Sequence, residues 1–314
     1  DKYKDYMTSE AQDKVGTEFQ MYDYFIFNNY TLGANDEIQG SMRLGNQVVS
    51  WGESTFLQNG INVINPVDVS RLRVAGAELK EAFLPVGMFW GSMQFSDSIS
   101  VEAFYQYEWK PVEIDPSGTY FSTNDFVSPG GSYVMIGFGT VPGPVINPDL
   151  YASTCTIGQN ASGQANIGNS DAGIPALAVA VGCGAAGARL DGRDASDSGQ
   201  FGVALRWYAE EWNQTEFGFY AMNYHSRVPL LSGQAATAFP LASDGRPAPN
   251  TAALIVEYPE DIHLFGVSFN TTLPGGVAWQ GELSYRPNAP FQIDDVELLF
   301  AALTPLNIVL AASG

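Results

Sequence analysis

The 314-residue chain is 45% hydrophobic, 13% aromatic and 15% charged, with 33 Gly and 18 Pro, a composition that suits one large β domain or about two ordinary ones and excludes a disordered chain. Its 34 Asp and Glu against 14 Lys and Arg give a formal net charge of -20, which repels a phosphate backbone and excludes nucleic-acid binding. The most apolar stretch, Val296 to Ala312, is broken by Glu297, Pro305 and Asn307, so no helix spans a membrane, whereas a mean hydropathy of -0.05 leaves a β-barrel open, because its alternating faces average to neutral.

The polar lead-in, 1–18, lacks the plan of a signal peptide, and the expectation is a chain that begins inside a longer one. Phe19 to Leu32 and Ile38 to Trp51 then flank the polar turn Gly33 to Glu37. Phe89 to Phe95 and Ile99 to Lys110 alternate strictly around Ser96-Asp97-Ser98, and the second run, at about 12 residues, exceeds the usual globular strand and suits a tilted membrane strand. Phe201 to Glu210 and Val277 to Arg286 follow the same plan, Thr215 to Arg227 returns with less clean alternation, and Thr251 to Tyr258 and Ile262 to Thr272 are further strands. About nine strands are expected.

Between the strands, short turns at Gly33 to Glu37, Ser96 to Ser98, Glu211 to Gln214 and Pro259 to Asp261 alternate with long loops at 52–84, 111–198 and 230–250. A soluble β-sandwich of similar composition has no reason for that alternation. An outer-membrane barrel does, with short periplasmic turns on one rim and long extracellular loops on the other. The predicted fold is therefore an all-β, antiparallel transmembrane barrel, present here as a fragment over 19–292, with 293–314 an apolar tail continuing into further sequence.

Arg43, Gln47, Glu102, Gln106, Glu108, Arg206, Glu210, Gln280, Glu282 and Arg286 share the polar phase of their strands and are the candidate lumen-lining residues. They either line a solute path or form interior pairs that hold the wall. In the loop 52–84, Asn65-Pro66 reads as a helix cap and first helical residue, so Val67 to Leu72 and Ala77 to Phe83 are expected as short helices. The loop either folds inward as a constriction, carrying Asn65, Pro66, Asp68, Arg71 and Arg73 with it, or stays on the surface. Arg71 and Arg73 then steer anions or pair with Asp68 or Glu78.

Cys155 and Cys183, the only thiols, read as one disulfide in an oxidising compartment. His225 and His263 lie in strands without a metal-site pattern, so no metal, cofactor or catalyst is assigned and a surface hydrolase ranks last. Asp191 to Asp197 lacks EF-hand spacing and reads as a solvated acidic loop, with Ca2+ binding the rival reading.

Six stretches carry a family resemblance: Arg43 to Thr55 (RLGNQVVSWGEST), Gly60 to Ser70 (GINVINPVDVS), Ala77 to Ala82 (AELKEA), Glu102 to Gln106 (EAFYQ), Gly118 to Phe126 (GTYFSTNDF) and Leu283 to Asn288 (LSYRPN). Together they resemble domain-of-unknown-function family 1302, proteobacterial outer-membrane proteins longer than this chain at both ends. The likeness spans most of Phe19 to Gln292, apart from a variable stretch at about Pro142 to Ser198. It implies a porin-like or lipid-transporter-like barrel in the outer membrane of a Gram-negative bacterium. Its expected partners are outer-membrane lipid and lipopolysaccharide, a small or lipidic solute, and an envelope transport system, since such genes often neighbour resistance-nodulation-division exporters. No substrate or active site is implied. The rival function is a structural or surface-interaction barrel that transports nothing.

Overall fold

In the computed structural model, the described residues are 9–16, 21–33, 38–54, 59–122, 126–131, 133–135, 155–159, 165–169, 186–235, 253–298 and 301–302. A helix α1 (Ser9–Gly16) leads, followed by β1 (Tyr24–Leu32), β2 (Ile38–Gln47), β3 (Val86–Ser96), β4 (Ile99–Gln106), β5 (Tyr133–Met135), β6 (Cys155–Gln159), β7 (Ala165–Asn169), β8 (Ala186–Arg189), β9 (Gln200–Ala209), β10 (Thr215–Tyr224), β11 (Leu230–Gln234), β12 (Ala253–Glu257), β13 (Ile262–Leu273) and β14 (Val277–Tyr285).

Eight of these form one sheet in the order β1-β2-β3-β4-β9-β10-β13-β14, and every neighbouring pair is antiparallel. The strands run 8 to 12 residues, near the length a tilted strand needs to cross a bilayer's hydrocarbon. The sheet is open, with β1 and β14 at its edges; an all-β antiparallel architecture is present, and a closed barrel is not formed among the described residues.

Side-chain alternation is consistent across the sheet because the register keeps parity between neighbours, apart from one shift between Gln94 and Ser96 at the end of β3. Arg43 faces Trp90 and Trp90 faces Phe104; Glu102 opposes Ala204, Arg206 opposes Gly218, Gly218 opposes Ser268 and Ser268 opposes Glu282. All five Arg and Glu side chains within the eight strands, Arg43, Glu102, Arg206, Glu216 and Glu282, therefore share one face. The opposite face is apolar and exposed, from Ile26 (73%) on β1 to Leu283 (69%) on β14. Exposing a face this large to water is unfavourable, so its patterning demands an apolar neighbour.

Two aromatic bands border that apolar face. Trp207, Trp212 and Phe217 pack together, as do Phe269 and Trp279, next to the short turns. Tyr24, Tyr105, Tyr107, Phe201 and Tyr285 stand exposed near the other rim. Phe201 and Trp207 lie six residues apart on β9, about 20 Å along a strand.

The connections β1 to β2, β3 to β4, β9 to β10 and β13 to β14 all leave from one rim, and β2 to β3, β4 to β9 and β10 to β13 all leave from the other. Pro259 to Asp261 differs from expectation: it lies on the long-connection rim. The strand before it, β12, belongs not to the wall but to a second sheet, β11-β12-β8-β5, in which β12 and β8 are parallel. The reason is local. Asp261 has φ 56°, its N–H donates to His225 Nδ1 at 3.1 Å, and the Ser226 N–H donates to the Pro259 carbonyl at 2.8 Å, so the segment is tied to the end of β10 and does not turn as a hairpin. The wall therefore shows eight strands, not nine.

The loop 52–84 corrects a second expectation. Asn65 is not a helix cap: its Oδ1 accepts from Val49 N–H at 2.9 Å, and its Nδ2 donates to the carbonyls of Gln47 and Leu84 at 3.0 Å each. The side chain thus staples the start of the loop to its end. Val67 bridges Phe83 and Asp68 bridges Glu113, which among the described residues leaves two short 3-10 turns, Arg71–Arg73 and Leu79–Ala82. Asp68 does the capping instead, its Oδ1 accepting from Ser70 N–H at 2.9 Å and Arg71 N–H at 3.3 Å.

Candidate functional site

The charged face of the sheet carries an inserted segment, described at 49–54 and 59–65, and the two together form the candidate site. Trp51 is fully buried, as are Ile61 and Ile64, and they pack with Val86, Met88, Phe104, Tyr220, Met222 and Leu264. Trp51 sits 5.1 Å from the Phe104 ring and 5.9 Å from that of Tyr220. Glycines in the wall make room: a Cβ at Gly202 would meet Phe104 at 2.7 Å and Trp51 at 3.0 Å, and one at Gly266 would meet Ile61 at 2.9 Å.

Polar ties fix the segment from both sides. The Trp51 indole N–H donates to Glu102 on β4 at 2.9 Å. On β14, Glu282 accepts the backbone N–H groups of Glu53 at 2.8 Å, Ser54 at 3.2 Å and Ile61 at 3.1 Å. Ser268 on β13 donates to Glu53 at 3.2 Å. Arg286, just past β14, donates to the carbonyls of Asn59 and Gly60 and to the Tyr224 hydroxyl. Three consecutive residues, Trp51 to Glu53, thus touch β4, β10, β13 and β14. A flat sheet would spread β4 and β14 over about 19 Å, so the sheet curls around the segment with its charged face concave.

Register divides that concave face into rows. The row nearest the short turns that crosses all eight strands runs Thr31, Gln39, Gln94, Ser100, Arg206, Gly218, Ser268, Glu282, and the next runs Asn29, Ser41, Ser92, Glu102, Ala204, Tyr220, Gly266, Ser284. The third, Phe27, Arg43, Trp90, Phe104, Gly202, Met222, Leu264, is largely apolar. The inserted segment occupies the long-connection half, and a polar recess of about 590 Å3 opens over β1 to β4 in the other half.

Charge in the polar rows is paired. Arg206 bonds Glu102 at 3.1 Å and Glu216 at 3.0 Å. Burial pushes the Glu53 carboxyl above the usual carboxylate range; the Ser268 bond and Arg206 oppose that, while Glu216 and Glu282 reinforce it. Arg43 lies over the ring of Trp90 at 4.3 Å and that of Phe25 at 5.5 Å.

The other expected lumen residues divide by position. Gln47 is buried and donates to the Met88 carbonyl at 3.1 Å. Gln106 donates to the Ile64 carbonyl at 2.8 Å and accepts from Arg227 at 2.6 Å. Glu108 lies beyond the end of β4, where it accepts the Gly87 N–H at 2.6 Å and meets Lys110 at 3.0 Å. Glu210 is in the turn after β9, on the rim and outside the concave face. Gln280 is on the concave face of β14, exposed. Pro66 gives its carbonyl to the Leu84 N–H. Arg71 pairs with Asp68 at 3.3 Å, while Arg73 meets Asp115 and the Phe121 ring, away from the inserted segment.

Sequence periodicity missed Trp51, Glu53, Arg227, Ser268 and the neutral polar rows, since only strand register reveals what an inserted loop meets. Arg227 is buried, donating to the carbonyls of Ile64 at 2.9 Å and Lys110 at 3.0 Å. Burial lowers its guanidinium to about 9, with Glu108 opposing the shift, so it stays charged at neutral pH.

His225 ties loops together, its Nδ1 accepting from Asp261 N–H while its Nε2 faces the Ser198 carbonyl at 2.9 Å. A backbone donor at Nδ1 puts the ring proton on Nε2. His263 is exposed on the convex face. In the acidic loop, Asp197 accepts the Trp109 N–H and Arg193 pairs with Glu257 at 2.6 Å. Among the described residues no three His, Cys, Asp or Glu side chains converge as a metal site. Cys155 begins β6, whereas Cys183 lies outside the described residues, as does much of the stretch 136–185.

A family model described as a protein of unknown function, DUF1302, matches residues 1–310. No curated protein matches, and no solved structure does.

Proposed function

We propose that this chain, which belongs to the DUF1302 family of proteins of unknown function, supplies part of the wall of an outer-membrane β-barrel and passes a solute along its concave face, with 49–65 as the constriction. The observation that carries this reading is segregation: the eight strands put all five of their Arg and Glu side chains on one face and an exposed apolar surface, bordered by two aromatic bands, on the other. Water gives no reason for that arrangement, and the hydrocarbon of a bilayer does. On this reading the short-turn rim faces the periplasm, the long connections face outward, and outer-membrane lipid and lipopolysaccharide surround the wall. An envelope transport system would take up or supply the solute.

An eight-stranded barrel is filled by its own side chains. A face that also accommodates Trp51, Ile61 and Ile64 suits a wider wall, of which these strands are part. Reconstitution into planar bilayers tests the reading: discrete conductance steps, enlarged when 49–65 is released, are the expected result, and a bilayer-inserted protein without conductance or uptake of labelled lipid would overturn it. That second outcome is the expectation of a purely structural barrel, which the complete burial of Trp51 and Ile61 favours.

A further inference from the structure

We propose that the recess on the concave face of β1 to β4 binds an uncharged, hydroxyl-rich solute, a saccharide by chemistry. Its lining is the first four positions of both polar rows, with Trp90 at the inner end and Tyr30, Gly40 and Met93 between the rows. In those two rows, besides Thr31 and Glu102, the inward groups of the four strands are amides (Asn29, Gln39, Gln94) and hydroxyls (Ser41, Ser92, Ser100), each able both to donate and to accept. Among the described residues, no hydrogen bond within the protein occupies these six side chains. The volume of about 590 Å3 lies within the range of small-molecule sites.

The chemistry excludes other solute classes in turn. Glu102 is the single ionised group in the lining, and its carboxylate is committed to Arg206 and the Trp51 indole. An anion would meet that carboxylate, and the nearest cation, Arg43 in the neighbouring row, is outside the lining and stacked on Trp90 and Phe25. A cation would compete with Arg206 for an acceptor already in use. An apolar solute would strip water from six amide and hydroxyl groups and leave them unpaired, which is costly. A polyol matches alternating donors and acceptors without any charge to desolvate. The contrast with β9 to β14 sharpens the assignment, because the same two rows there carry Arg206 and Glu282, with Glu216 on the same concave face of β10.

This inference names the solute class for the path proposed above, yet binding is measurable without passage. The whole chain in detergent micelles is titrated by calorimetry with raffinose, glucosamine and glucuronate, and the same protein in liposomes is assayed for raffinose uptake. Saturable raffinose binding at least tenfold tighter than that of either charged sugar is expected. Gln39→Ala with Gln94→Ala should weaken it at least tenfold, and Ser41→Asp, which leaves the amides in place, should do the same. Equal affinities for the three sugars, no saturable binding by the folded wild-type protein, or unchanged affinity in Ser41→Asp would overturn the proposal and leave a water-lined wall. Binding in micelles without uptake in liposomes would uphold the recess and overturn the transport reading; uptake without saturable binding would do the reverse.

Discussion

The Glu282 carboxylate on β14 holds Glu53 of the inserted segment by its backbone, accepting that N–H at 2.8 Å, and bridges to Ile61 with its other oxygen at 3.1 Å. One side chain thus closes both ends of a loop that enters the concave face. Removing it in Glu282→Ala leaves three backbone donors without their acceptor, at about 2 kcal/mol or more for bonds to a charged group. The expected outcome is protease cleavage between Glu53 and Ile61 in a protein whose wall still migrates as folded. Cleavage no faster than in the parent would mean that the apolar anchors alone hold the segment.

Acidity should tighten the same attachment. Burial raises the Glu53 carboxyl above its usual value of 4.5, with Glu216 and Glu282 adding to the shift and Ser268 and Arg206 opposing it. For an acid with a raised folded value, the native state binds more protons than the unfolded one between the two values, so stability falls as pH rises through that window. The penalty is absent below about 4.5 and complete above the folded value. Segment release, followed by Trp51 fluorescence in a variant with the other five Trp replaced by Phe, should increase with pH across this range and lose that dependence in Glu53→Gln. A Glu53→Gln profile identical to the parent's would assign the dependence elsewhere.

The wall was legible in the sequence and the site only in part. Strict period two in Ile99 to Gln106 and Ile262 to Leu273 identifies strands because each has one face in contact with the core and one without. The same logic put Arg43, Glu102, Arg206 and Glu282 on one face, where register confirms them. It failed at Thr251 to Tyr258, of which Ala253–Glu257 forms β12 and pairs with β11 and β8 instead of the wall. It failed again at Asn65, because a residue that caps a helix and one that staples two backbone segments present the same amide beside the same Pro66. Partner choice across 18 or 19 residues is not written in local pattern. Trp51 only closes the stretch Ile38 to Trp51 in the sequence, and the curl of the sheet is what makes it the centre of the buried cluster.

Gly202 provides a steric test of that cluster. A methyl group there would approach Met222 Cβ at 2.9 Å, Phe104 at 2.7 Å and Trp51 at 3.0 Å, and the Met222 Cβ cannot swing aside as a side-chain tip can. Gly202→Ala should therefore destabilise the seated segment by about 1–3 kcal/mol. Quenching of Trp51 fluorescence by acrylamide should rise accordingly. Gly276→Ala, in the turn before β14 with open space around it, should leave that quenching unchanged despite its own backbone strain.

The convex face decides whether the sheet meets lipid. Leu205 projects from the middle of β9 within the row Val101, Leu205, Phe219, Val267, Leu283, between the two aromatic bands. An arginine there would sit near the bilayer midplane if the face is lipid-exposed, costing roughly 2–4 kcal/mol in folding free energy. Gln280, exposed on the concave face of β14, can accept the same substitution with its guanidinium in water, and a change within about 0.5 kcal/mol is expected for such a site. Folding of Leu205→Arg and Gln280→Arg into liposomes, measured by urea titration, should separate the two by at least tenfold in equilibrium constant. If the two variants insert and fold equally well, the apolar face does not contact hydrocarbon, and a water-soluble partner must cover it instead.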